Sequence, residues 1–172
     1  IKLKIVEIDN MNKVIYSSKS NEWETPIWLF NKLNEEFNFY CDVAATKNNH
    51  LCEYYFTEEE NSLLQNWSIY KNCFCNPPYG KLISKFIQKG YEESLKGCNV
   101  VFLIPARTDT KWWHEYCSKG EVRFIKGRLK FQNRTFPSWK SDGSHKISPA
   151  NFPSAIVIFK KQIEQKNNIC KL

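Results

Sequence analysis

The chain has 172 residues, a net charge of +7 and an aromatic content of 15%. This length favours one domain with a sizeable core, and the aromatic content excludes a disordered tail. No apolar run approaches the roughly 20 residues that a membrane-spanning helix needs, and we find no signal-peptide pattern at the start of the chain.

The predicted elements alternate between strand-length apolar runs and helical patterns. In order, they are an arm or edge strand at 1–20, a helix at 26–37, strands at 39–45, 53–56 and 72–75, a helix at 82–95, a strand at 99–104, a helix around 112–116, and strands at 121–126 and 154–159. This alternation predicts an α/β fold with a mostly parallel, twisted sheet and helices on both faces. Only about thirty residues separate Asp42 from Asn76, so we expect one strand–helix unit to be reduced.

The seven cysteines are odd in number, and most of them lie inside apolar runs. Such cysteines are typical of small apolar residues in a reducing compartment. One residue lies between Cys73 and Cys75, whereas a zinc knuckle usually has two between its cysteines, and no second pair lies nearby. We therefore expect no metal site and an intracellular location, in the cytoplasm or in the nucleus of a eukaryotic source.

The segment Asn76-Pro77-Pro78-Tyr79 directly follows the strand predicted at 72–75. Two prolines end that strand, which places the tetrapeptide at a carboxyl end of the sheet, where open α/β sheets bind ligands. The Asn76 side-chain carbonyl and the Pro77 backbone carbonyl could accept both protons of one amine and direct its lone pair toward an incoming methyl group. Tyr79 offers a ring on which a flipped base could stack. The alternative is an ordinary strand that ends in a proline-rich turn.

Two predicted helix starts carry polar residues. Thr25 is expected to be an N-cap with Pro26 at the first helical position, and Asp109 is expected to cap the helix around 112–116. The start at Thr25 is either a simple cap or a site for a carboxylate. Asp42, at the end of a predicted strand and followed by small residues, could accept a hydrogen bond from an ammonium group of a cofactor.

Basic residues concentrate in the second half of the chain. Between positions 111 and 146 nine basic residues stand against three acidic ones, and Phe131, Phe136 and Trp139 lie among them. Much of this stretch falls in a polar loop at about 127–152, a length that is usually functional or disordered. Basic and aromatic residues together favour a nucleic-acid surface, and the alternative is a solvated basic face.

Six blocks in this order resemble the phage-type DNA N6-adenine methyltransferases of the Dam family, over about residues 21–160. The blocks are Glu-Trp-Glu-Thr-Pro, Cys-Asp-Val-Ala-Ala, Asn-Ser-Leu-Leu-Gln-Asn-Trp, Asn-Pro-Pro-Tyr-Gly, Leu-Ile-Pro-Ala-Arg-Thr-Asp-Thr-Lys-Trp-Trp and Lys-Gly-Arg-Leu-Lys-Phe. The resemblance implies a Rossmann-like methyltransferase fold that uses S-adenosylmethionine to methylate the N6 amine of adenine in double-stranded DNA. It implies one methyltransferase domain at 21–160, between the arm at 1–20 and a tail at 161–172.

The resemblance also implies which residues contact the cofactor. They are Trp23, Thr25 and Pro26 at its methionine end, Asp42 and Ala44 after the first strand, Asn61, and Asn76. Asn61 stands where the family usually has an aspartate that accepts the cofactor's adenine amino group. Ala44 and Ala45 stand where many methyltransferases have glycines.

Catalytic and DNA-binding roles follow from the resemblance and from the basic loop together. The expected catalytic residues are Asn76, Pro77, Pro78 and Tyr79, and the expected nucleic-acid contacts are Tyr79, Arg128, Lys130, Phe131 and Arg134. Phe131 is the expected second stacking face for a flipped adenine. We infer no obligate protein partner and no membrane association.

Three other functions remain open from the sequence. The chain could methylate RNA bases or a protein glutamine, because the same tetrapeptide serves other amine methyltransferases. It could be a nucleic-acid-binding relative that has lost catalysis, as Asn61 and the missing glycines would suggest. A zinc-dependent structural module rests on the cysteines alone.

Overall fold

The computed structural model describes residues 23–131 and 149–162. Within them, six strands form one sheet and three α-helices accompany it. The elements are α1 (Ile27–Phe37), β1 (Cys41–Asp42), β2 (Tyr54–Tyr55), β3 (Asn72–Cys75), α2 (Ile83–Leu95), β4 (Asn99–Pro105), α3 (Lys111–Glu115), β5 (Glu121–Phe124) and β6 (Ser154–Phe159). The predicted arm at 1–20 lies outside the described residues, as does nearly all of the tail.

The sheet is mixed, with strand order β2-β1-β3-β4-β6-β5. β1 pairs in parallel with β2 and β3, and β3 pairs in parallel with β4. β6 lies between β4 and β5 and runs antiparallel to both. The α/β class is therefore confirmed. The antiparallel direction of β6 was not predicted, because a buried apolar run gives the same sequence pattern in either direction.

The helices pack on both faces of this sheet, as the alternation predicted. Phe30 of α1 meets Phe74 of β3 edge-to-face, with the ring centroids 5.3 Å apart. Phe74 pairs with Val101, so the next residue along β4, Phe102, points to the opposite face. α2 lies on that opposite face, where a side chain at Gly90 would come within 2.4 Å of the Phe102 ring. The glycine therefore lets the helix approach β4 closely.

Both predicted helix caps are wrong. The N-cap of α1 is Pro26, not Thr25, and the N-cap of α3 is Thr110, not Asp109; neither makes a side-chain capping bond. The Thr110 hydroxyl donates instead to the Arg107 carbonyl at 2.7 Å. The Thr25 hydroxyl bonds outside the helix and belongs to the site described below.

The predicted reduction between Asp42 and Asn76 is present. No α-helix connects β1, β2 and β3, and two short 3₁₀ helices, Ser62–Leu64 and Ser68–Tyr70, occupy the second connection. A buried carboxylate holds this second connection in position: Glu93 of α2 accepts hydrogen bonds from the backbone N–H groups of Trp67 and Ser68 at 3.1 and 2.9 Å.

Two features bear on the compartment and the membrane predictions. The described cysteines, six in number, are buried and carry free thiols. Within the described parts of the chain, no helix is long and apolar enough to cross a bilayer.

Candidate active site

A cleft opens at the carboxyl ends of β1 and β3, which are neighbouring parallel strands. The chain leaves β1 toward β2 on one side and leaves β3 toward β4 on the other, so the connections diverge here. Open α/β sheets bind their ligands at such a point. The cleft is open to solvent and has a cavity volume of about 150 Å³.

Asn76 follows the last residue of β3 and lines this cleft. Its amide nitrogen Nδ2 donates to the Trp23 backbone carbonyl and, at 3.0 Å, to the Thr25 hydroxyl oxygen. Its carbonyl oxygen Oδ1 is buried, and no donor among the described residues bonds it. A buried acceptor without a donor is uncommon in proteins and calls for a functional reason.

The prolines that follow Asn76 provide a second acceptor. Pro77 and Pro78 both line the cleft. The Pro78 carbonyl accepts a hydrogen bond from the Gly80 N–H at 2.9 Å, whereas no described donor bonds the Pro77 carbonyl. The acceptors of Asn76 and Pro77 are therefore adjacent in the chain, and neither is bonded by a described donor.

Asp42 lies at the end of β1 and lines the cleft. Its two carboxylate oxygens accept hydrogen bonds from the backbone N–H groups of Ala44 at 3.3 Å and Leu51 at 3.2 Å. Burial raises the pKa of Asp42 to about 6, although these two hydrogen bonds oppose the shift. At neutral pH the cleft therefore contains a buried carboxylate, which suits a cationic or hydroxyl-bearing ligand.

The predicted cofactor residue Asn61 does not line the cleft, but its neighbour Ser62 does. Asn61 has a left-handed backbone (φ 49°), which asparagine tolerates better than most residues. Ser62 is 2% exposed, and none of the described groups bonds its hydroxyl. The sequence did not single out Ser62 as a site residue; its place beside Asn61 in the Asn-Ser-Leu block was the available signal.

Tyr79 is the residue of the tetrapeptide that does not line the cleft; it lies in an aromatic cluster beside it, formed by Trp23, Tyr79, Phe131 and Phe152. Tyr79 is 5% exposed because Phe131 and Phe152 meet its ring edge-to-face, with centroids 6.1 and 5.6 Å away. Trp23 contacts the same two rings at 5.2 and 5.4 Å and also lines the cleft. Phe152 was missed by sequence reasoning, which treated it as loop.

The basic loop begins and ends next to this aromatic cluster. A β-bridge joins Lys130 to Pro149, and the Ala150 N–H donates to the Leu129 carbonyl at 2.8 Å. Arg128 and Lys130 are exposed. Arg134, with the rest of 132–148, lies outside the described residues.

Two other members of the basic stretch are already paired. Arg123 contacts Glu36 and Glu121, each at 2.6 Å, and Lys111 contacts Glu115 at 3.4 Å. These ion pairs reduce the positive charge that the stretch can offer to a ligand.

The structure thus brings most of the predicted residues to one edge of the sheet. Those that line the cleft are Trp23, Thr25, Asp42, Ala44, Asn76, Pro77 and Pro78. Pro26 is buried at the start of α1, and neither it nor Asn61 lines the cleft. No cluster of three or more possible metal ligands is found in the described parts of the chain.

The comparisons with known proteins agree with this geometry. The sequence model of the DNA N-6-adenine-methyltransferase (Dam) family matches residues 13–171. A DNA N-6-adenine-methyltransferase of Haemophilus phage HP1 is 27% identical over 144 residues, which cover 83% of this chain and 80% of that protein. A DNA N-6-adenine-methyltransferase of Escherichia phage T1 is 31% identical over 94 residues, 54% of this chain and 39% of that longer protein. Because the family match spans nearly the whole chain, the chain belongs to the Dam family of adenine-specific DNA methyltransferases.

Proposed function

We propose that the chain transfers a methyl group from S-adenosylmethionine to the N6 amine of adenine in double-stranded DNA, after the base has been flipped into the cleft. The observation that carries this proposal is the Asn76 carbonyl oxygen, a buried acceptor that no described donor bonds, at the carboxyl end of β3. The divergence of the connections at β1 and β3 supports a Rossmann-like methyltransferase fold in which one strand–helix unit is reduced.

The residues around Asp42 fit the proposed cofactor. When bound, S-adenosylmethionine would supply an electrophilic methyl group and leave as S-adenosylhomocysteine, while the methylated amine releases one proton to solvent. The chain supplies the site that holds and orients the cofactor. Asp42 offers a buried carboxylate for an ammonium or hydroxyl group, and Ser62 offers a buried hydroxyl that no described residue bonds. Ala44 has a small side chain that leaves room for the ligand. In this proposal Ser62 takes a contact that the family resemblance assigned to Asn61.

Asn76 and Pro77 would hold the amine that is methylated. An exocyclic amine has two N–H groups, and the two carbonyls can accept one hydrogen bond from each. Such bonds favour a nitrogen whose lone pair is directed out of the base plane, toward the methyl donor. The fixed φ of Pro77, together with the restriction that the following Pro78 places on its ψ, keeps the Pro77 carbonyl rigid, so little reorganisation accompanies the reaction.

Tyr79 would hold the flipped adenine by stacking, which is typically worth about 1–3 kcal/mol per base. In the present conformation Phe131 and Phe152 meet the Tyr79 ring at 78° and 82°, and the three rings do not form parallel faces. In this proposal Phe131 or Phe152 moves away from Tyr79 when a base enters, and Phe131 is the second stacking face that the family resemblance implies.

The exposed residues Arg128 and Lys130 would contact phosphates next to this pocket, as would Arg134 within the undescribed part of the loop. The charge of +7 favours a polyanionic partner over a neutral protein substrate. We infer no obligate protein partner and no membrane partner. We also infer a single domain over 21–160, and an intracellular, reducing location, which the six free and buried cysteines among the described residues favour.

Radiolabel transfer from S-adenosylmethionine tests the substrate class. Unmethylated genomic DNA, RNA and a mixture of proteins would each be incubated with the purified chain, with a duplex of G·C pairs alone as the adenine-free control. We expect label on the genomic DNA, recovered as N6-methyladenine after digestion, and none on the control duplex. Label on RNA or protein but not on DNA would replace this proposal with one of the alternative methyltransferase functions.

A further inference from the structure

The orientation of the Asn76 amide is fixed by two groups that lie far away in sequence. Its nitrogen donates to the Trp23 backbone carbonyl and to the Thr25 hydroxyl oxygen. A carbonyl oxygen can only accept, so the NH₂ side of the amide has to face Trp23. The opposite side of the amide, the oxygen Oδ1, is consequently the one left without a described donor.

We infer that Thr25 is a positioning residue for the methyl-transfer step: its hydroxyl, with the Trp23 carbonyl, holds Asn76 in the one orientation that presents an acceptor to the target amine. This inference rests on the proposed function and extends it. A flipped amide would place Oδ1 against the Trp23 carbonyl, where two acceptors repel each other, and would present a donor to an amine that also donates. The wrong orientation is therefore unproductive as well as disfavoured.

The burial of these groups makes the orientation effective. Thr25 is 6% exposed, and the segment 23–25 that carries both acceptors lines the cleft beside Asn76. Water competes poorly for hydrogen bonds in such an environment. Thr25 is free to take this role because it does not cap α1; Pro26 occupies the cap position.

The same geometry selects an amide over a carboxylate at position 76. An ionised aspartate would face the Trp23 carbonyl with an acceptor where Asn76 offers a donor. Asn76→Asp keeps an oxygen for the amine but loses the donor that orients it. We therefore expect this conservative change to be poorly tolerated, although the oxygen that contacts the substrate is retained.

Matched threonine variants separate positioning from general damage. Thr25→Val keeps the side-chain shape and removes the acceptor, and Thr25→Ser keeps the hydroxyl. Thr110→Val is the control for loss of a threonine hydroxyl away from the cleft, because the partly exposed Thr110 hydroxyl donates only to the Arg107 carbonyl. At saturating cofactor and DNA, we expect Thr25→Val to lower kcat by about tenfold, the upper end for one neutral hydrogen bond. Thr25→Ser should recover most of this loss, and Thr110→Val should match the wild type.

A second readout does not depend on catalysis. In NMR spectra of the ¹⁵N-labelled chain, the side-chain NH₂ signals of Asn76 are identified as those that disappear in Asn76→Ala. We expect these signals to be protected from exchange with water in the wild type, and to exchange faster in Thr25→Val but not in Thr25→Ser or Thr110→Val. The same spectra show whether each variant is folded.

The two readouts distinguish the possible failures. If the wild type transfers no methyl group to DNA but Thr25→Val alters the Asn76 signals as described, the proposed function fails while the orientation of the amide by Thr25 is supported. If the wild type methylates adenine and Thr25→Val behaves like Thr110→Val in both kcat and exchange, the positioning role is overturned. A wild-type kcat for Asn76→Asp would also overturn it.

Discussion

The Tyr79 hydroxyl donates a hydrogen bond to the backbone carbonyl of Leu103, 3.2 Å away on β4. Leu103 is fully buried, so this bond ties the last residue of the Asn-Pro-Pro-Tyr segment to the centre of the sheet. The ring is thereby held at a defined place beside the cleft, where Phe131 and Phe152 lie against it.

This relationship separates the roles of the Tyr79 ring and hydroxyl. Tyr79→Phe removes one buried hydrogen bond and should lower the free energy of unfolding by about 1 kcal/mol while turnover is largely kept. Tyr79→Ala should lower turnover on duplex DNA much more, because the flipped adenine loses its stacking partner. Urea unfolding and steady-state methylation of each variant measure the two effects.

A mismatched duplex provides the control for base flipping. Extrusion of a base costs a few kcal/mol and is cheaper when the base is mismatched. A mismatch opposite the target adenine should therefore restore part of the turnover of Tyr79→Ala. Equal losses on matched and mismatched DNA would mean that Tyr79 does not assist extrusion.

Cofactor binding should depend on pH through Asp42. Burial raises the pKa of Asp42 to about 6, so the carboxylate that would accept the cofactor's hydrogen bond is present above this pH and is neutralised below it. We expect affinity for S-adenosylmethionine to fall as the pH is lowered through 6. Calorimetric titration of the wild type between pH 5 and about 8 measures this.

Asp42→Asn tests whether the pH dependence of cofactor affinity comes from Asp42. It should weaken cofactor binding at pH 7 by about 1.5–3 kcal/mol, the range for hydrogen bonds to charged groups, and the remaining affinity should no longer fall near pH 6. An affinity equal to that of the wild type would reduce Asp42 to a strand-end residue without a role in binding.

Phosphate binding is assigned to Arg128 and Lys130, which are exposed at the start of the basic loop. Alanine at either position should weaken binding to all DNA sequences alike and reduce the slope of log affinity against log salt by about 0.9 for each phosphate that the variant no longer neutralises. Lys160→Ala is the matched control, because that ammonium is exposed but pairs with Glu121 at 2.8 Å. If both loop variants keep the affinity and the salt slope of the control, the basic stretch is only a solvated face.

The buried carboxylate of Glu93 should stabilise both the fold and the cleft. Burial would raise the pKa of Glu93, but the ammonium groups of Lys89 and Lys96, at 2.8 and 2.9 Å, hold it below its usual range. Glu93→Gln breaks these pairs and should lower the free energy of unfolding by about 3 kcal/mol, since it leaves a partly buried lysine unpaired. Urea unfolding measures the loss, with Glu92→Gln as the neighbouring control.

A loss of cofactor affinity should accompany that destabilisation. Glu93 holds the backbone of Trp67, and the Trp67 indole N–H in turn donates to the Ser62 carbonyl at 2.9 Å. Glu93→Ala also removes the acceptor for the Trp67 N–H, so it should loosen this chain of bonds and displace Ser62 from the cleft. Wild-type cofactor affinity in a destabilised Glu93→Ala variant would show that the position of Ser62 does not depend on Glu93.

The strands whose bounds were predicted correctly are those with a proline near one end. Asn72–Cys75 has the predicted bounds because prolines follow it, and Ser154–Phe159 has them because Pro153 precedes it. The strand predicted at 39–45 is only Cys41–Asp42, yet backbone bonds from Tyr40 and Val43 to β3 extend the pairing beyond it. The predicted and observed strands therefore occupy the same part of the sheet and differ mainly in where the regular strand pairing ends.

The parts of the site that the sequence did not predict depend on the three-dimensional fold. The bond between Thr25 and Asn76 joins residues that are 51 positions apart, and the local Thr-Pro pattern indicated a helix cap instead. Asn61 has a left-handed backbone, and its neighbour Ser62 lines the cleft instead. The Lys130–Pro149 bridge joins the two ends of the loop, and Phe152, three residues after Pro149, contacts Tyr79.

The most direct test of the central claim is methyl transfer by Asn76→Ala, measured beside the affinity for S-adenosylmethionine. The variant removes the acceptor proposed to bind the target amine but leaves Asp42 and Ser62 in place. We predict that it forms no detectable N6-methyladenine, while its dissociation constant for the cofactor stays within a few-fold of the wild-type value. N6-methyladenine formed at the wild-type rate would contradict the assignment of the active site to Asn76.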